Sequence, residues 1–65
     1  MFTTPDNLRW ARNVANSNPL PAGDFVTAIA LAYLKADDMN AAILYVAITT
    51  FREKYPKWDI PEREY

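Results

Sequence analysis

The apolar and polar positions fall into three helical patterns separated by breakers. In "TTPDNLRWARNVANSN", Leu8, Trp10, Ala11, Val14 and Ala15 share one broad side of a 3.6-residue period, and Arg9, Arg12, Asn13 and Asn16 share the other. Thr4 suits the N-cap, Pro5 the first helical position, and Asp6 the positive end of the helix dipole. The pattern predicts a helix over 5–17, with Phe2 packing back on it as a staple, and the breakers "NSNPLP" end it.

A second helix is predicted over 21–36, with Pro21 at its first position and Gly23 and Asp24 blurring the start. Phe25, Ile29, Ala32, Tyr33 and Ala36 form its stripe, widened by Val26, Ala30 and Leu34. A third helix is predicted over 38–55, capped by Asp38 and stopped by Pro56. It carries two apolar stripes. One is Met39, Ala42, Ile43 and Val46, and the other is Leu44, Ile48, Phe51 and Tyr55. Its first three turns are apolar almost all round, so the pattern makes it the central helix, covered by both others or by another chain. The tail "KWDIPEREY" cannot continue a helix through its prolines and is expected to be an extended arm laying Trp58 and Ile60 on the helices.

The resulting expectation is an all-α fold: a three-helix domain over 1–56 with a central antiparallel helical hairpin, followed by an extended C-terminal tail over 57–65. The hairpin follows from the tight turn at Asp37-Asp38, which forces its two helices antiparallel and adjacent.

Tyr33, Lys35, Asp38, Ala42, Ile43 and Tyr45 stand at the relative spacings of a late Tyr, a Lys, a turn Asp and second-helix small residues. On these residues the segment 25–56 resembles one tetratricopeptide repeat. It departs from that pattern at Val26, where the family has Trp, at Ala30 and Asp37, where it has Gly, and at Pro56, which falls late. One copy is present, whereas such repeats need about three to bury a continuous core. The resemblance implies a hairpin that cannot cover both of its faces. The first helix covers one, and something else must cover the other.

Size sharpens this problem. A chain of 65 residues forms one domain at most and buries a modest fraction of its surface. It has no Cys, hence no disulfide or thiolate metal site, and no His, the commonest metal ligand and general base. Helix packing or a partner must supply the stability. A hydrophobic fraction of 51% is too high for a disordered chain. A net charge of −1 argues against a general electrostatic hold on nucleic acid or anionic lipid. The apolar runs at 25–34 and 39–48 are each about half a membrane span, and Lys35, Asp37 and Asp38 lie between them. The N-terminus lacks the pattern of a signal peptide, so a cytoplasmic protein with no membrane partner is expected.

The chemistry-bearing residues point the same way. Asp24, Asp37 and Asp38 do not form the ordered oxygen-ligand loop of a cation site and suit turns and caps instead. Tyr33, Tyr45 and Tyr55, with Lys35 or Lys54, have the spacing of core aromatics with polar tips, and no nucleophile or phosphate-loop motif accompanies them. No catalytic residue, metal or cofactor is assigned, and the chain is read as a non-enzyme. Arg9 and Arg12 could contact phosphates from one helix face, but the same pattern describes a solvated helix surface.

Trp10, Leu44, Ile48, Trp58, Ile60 and Tyr65 are the candidates for partner binding, because Trp and Tyr anchor interfaces and α-helical apolar surplus needs cover. For Trp10 and Trp58 the competing role is to close the bundle. The functional expectation is a protein–protein interaction module, a small adaptor or inhibitor of a larger protein. Small chains of this kind are frequent among phage and plasmid accessory proteins, which is analogy only. The alternatives are a structural homo-oligomer built through the third helix and a small nucleic-acid-associated regulator.

Overall fold

The computed structural model describes residues 3–61. They form an all-α domain of three helices, α1 (Pro5–Ala15), α2 (Asp24–Lys35) and α3 (Asp38–Lys54), followed by one turn of 3₁₀ helix (Pro56–Trp58). Phe2, expected as a staple, lies outside the described residues.

Helix α1 begins as its sequence directs. Thr4 is the N-cap, its hydroxyl accepts the Asn7 N–H at 3.3 Å, and Pro5 opens the first turn. The helix ends at Ala15, two residues short of the expected boundary. Asn18 N–H donates to Asn13 O and Ser17 N–H to Val14 O, the pair of bonds that defines a Schellman stop. Ser17 sits at φ 54, the left-handed position usually given to Gly.

Helix α2 starts at Asp24, not at Pro21. Gly23 precedes it at φ 89, a conformation that Gly adopts freely and that no helix contains. The Leu20 carbonyl is meanwhile taken by the Trp58 indole N–H at 2.8 Å, which holds the preceding segment out of the helix. At the α2–α3 connection Asp37, not Asp38, is the cap: its Oδ1 accepts the Asn40 N–H at 2.9 Å, and Asp38 lies in the first turn of α3. Phe25, near the start of α2, meets Phe51, near the end of α3, edge-on at 5.7 Å. Ala32 and Ala36 share a cleft with Asn40 and Leu44. The two helices therefore run antiparallel.

The expected layering is inverted. Helix α1, not α3, supplies the centre: Trp10, Ala11 and Val14 are fully buried, and α1 packs chiefly against α2 through Val26, Ala30 and Tyr33. Helix α3 contributes only Ala41 and Ile48 at full burial, with Leu44, Phe51 and Tyr55 packed against that core. Its other stripe faces out. Phe25 is also 61% exposed, so the buried line of α2 is Val26–Ala30–Tyr33 rather than the stripe expected through Phe25.

Asn13 explains part of the inversion. Its pattern places it on a polar outer face, yet it is 2% exposed. Its Nδ2 donates to Trp58 O at 2.9 Å and to Ile60 O at 2.8 Å, and its Oδ1 accepts from Asn18 Nδ2 at 3.4 Å. A buried amide satisfied in this way incurs little desolvation penalty. It draws the segment after α3 across α1, and the 3₁₀ turn there buries Trp58 where an extended strand of chain was expected.

Candidate interaction surface

The outward side of the α2–α3 hairpin concentrates the exposed apolar side chains. Met39, Ile43 and Val46 recur at helical spacing on α3 and are 79, 75 and 70% exposed. Thr50 and Glu53 continue the same exposed line toward the end of the helix. The Thr50 hydroxyl donates back to the Val46 carbonyl at 2.8 Å, so that position presents its methyl group with its polar atom already engaged.

Beside this ridge lies a shallow, open cleft of about 340 Å³, lined by Ala32, Lys35, Ala36, Asn40, Ile43 and Leu44. Small alanines on α2 create it, because they leave the side of Ile43 and Leu44 unfilled. Among the described residues, Lys35 is the only charged one lining it. Lys35 has no ion-pair partner among the described residues. Asp37 lies nearby in sequence, but its Oδ1 is engaged in capping α3.

The residues proposed from sequence as partner contacts are placed differently. Trp10 and Ile48 are fully buried and stay within the core of the single chain. The Trp10 indole N–H donates to Tyr55 O at 3.0 Å. Trp58 is 6% exposed and meets the Tyr55 ring at 6.5 Å, so both tryptophans close the bundle. Leu44 is half-buried and lines the cleft, and Ile60 is half-buried with its carbonyl held by Asn13. Tyr65 lies outside the described residues. The structure thus gathers Trp10, Trp58 and Tyr55 into one cluster and leaves Leu44 as the member that borders an open surface.

Arg9 donates to Asp59 at 2.9 Å and lies 3.4 Å from Asp6, which also faces Arg52 at 3.4 Å. It is therefore engaged in tying α1 to the turn after α3 rather than presented to a phosphate. Arg12 is half-buried and also has an interaction partner. Among the described residues no group of three or more Asp or Glu could hold a metal ion. No helix among them is long and apolar enough to cross a membrane.

In comparisons with protein-family models, curated proteins and solved structures, nothing matches this chain.

Sequence reasoning missed Met39, Ile43, Phe25 and Lys35 as surface candidates. The signal was the relative length of the two α3 stripes. Leu44, Ile48, Phe51 and Tyr55 run to the end of the helix and include the rings of Phe51 and Tyr55, whereas the Met39 stripe has no aromatic residue and stops at Val46. A core that must also hold Trp10 and Trp58 takes the longer, bulkier stripe.

Proposed function

We propose that this chain is a non-enzymatic protein-interaction module, a small adaptor or inhibitor of a larger protein, working through the outward face of the α2–α3 hairpin. The observation that carries the reading is the row of Met39, Ile43 and Val46, each at least 70% exposed on one helix face. Isolated exposed apolar residues are ordinary, but a contiguous row bordered by a cleft marks a surface built to be covered. Because Met39, Ile43 and Val46 are 79, 75 and 70% exposed, covering them contributes roughly 3–7 kcal/mol before the cost of association, at about 1.5–3 kcal/mol per side chain taken from full exposure to full burial. That is a large return for a domain of marginal stability.

The test is site-specific crosslinking. A photo-reactive residue replacing Val46 should capture a protein partner in the native host extract, and one replacing Asp59, which pairs with Arg9 of α1, should not. Ile43→Glu should abolish capture while leaving the helical circular dichroism unchanged. Equal capture from both positions, or capture insensitive to Ile43→Glu, would place the working surface elsewhere.

A further inference from the structure

We draw no further inference here: the strongest candidate, the exposed row of Met39, Ile43 and Val46 with its adjoining cleft on the outer side of the α2–α3 hairpin, belongs to the surface already described, and nothing in the structure shows what covers it.

Discussion

Asn13→Ala should be among the most damaging single changes in this protein, although the position reads as surface in the sequence. The side chain is 2% exposed, and its Nδ2 holds two carbonyls, Trp58 O at 2.9 Å and Ile60 O at 2.8 Å. Alanine removes both donors. It leaves those carbonyls and the Asn18 amide, itself 6% exposed, without this partner. A buried polar group stripped of its partner costs about 1–3 kcal/mol, and one of the carbonyls is only partly buried, so the total is about 2–4 kcal/mol. Domain stability at this length is roughly 3–10 kcal/mol, so the loss consumes a large part of it. Urea titration followed by circular dichroism and by tryptophan fluorescence measures it. Because Asn13 holds the segment that buries Trp58, the fluorescence change should precede or accompany the loss of helix, never follow it. Asn13→Asp separates chemistry from shape. It keeps the volume but turns an acceptor toward two acceptors, so at neutral pH it should cost at least as much as Asn13→Ala. A loss below about 0.5 kcal/mol for both, the range of ordinary surface substitutions, would refute the assignment of Asn13 as the tie between α1 and the tail.

Other expectations follow from single features. Ser17→Gly should stabilise by about 0.5–1 kcal/mol, because Ser17 occupies φ 54 and Gly enters the left-handed region without the Cβ clash; thermal melting reads this directly. Asp37→Ala should cost about 1 kcal/mol through loss of the Asn40 cap, and Asp38→Ala less than half of that, reversing the order expected if Asp38 were the cap. Ile48→Ala should cost about 2–5 kcal/mol and Ile43→Ala less than about 0.5, since Ile48 is fully buried and Ile43 is 75% exposed; similar losses at the two sites would mean that α3 is turned differently.

Much of the fold is legible in the sequence, and the physics explains which parts are. The Thr4-Pro5-Asp6 start, the stop before Pro56 and the division into three helices are local signals, and they appear within two or three residues of the expected boundaries. Assignments that depend on long-range partners differ. Pro21 has the chemistry of a helix start, but the Leu20 carbonyl is claimed by an indole 38 residues away. Asn13 is polar and looks solvated until its acceptors arrive from 45 and 47 residues further along the chain. Periodicity registers hydrophobicity and is silent about an amide whose every bond is satisfied inside. The surface candidates divide for the same reason. Trp10 and Trp58 carry the residue type of an interface anchor, but each indole N–H finds a backbone carbonyl within the domain, which lets the ring be buried at home.

The inversion of layers bears on function. Helix α1 is rich in Asn and Arg and forms the centre, whereas α3, with the most continuous apolar run, lies at the side with one row uncovered. A sequence under pressure for stability alone would cover the helix with the longest apolar run on all sides and let the polar one face water. Here the interior is closed instead by hydrogen-bonded side chains of α1: Asn7 to Thr49, Trp10 to Tyr55, and Asn13 to Trp58 and Ile60. Each of these bonds needs a particular partner at a particular place, so they fix one arrangement of α3 and its tail against α1. Hydrophobic contact alone would leave α3 free to roll between its two stripes, since either could face the core. Rolling would bury Met39, Ile43 and Val46 and release Leu44 and Ile48. The bonds made by Asn7 to Thr49 and by Trp10 to Tyr55 hold the helix in the rotation that keeps the first row outside. An uncovered apolar row maintained by a specific polar network is the arrangement expected of a surface kept ready for another protein.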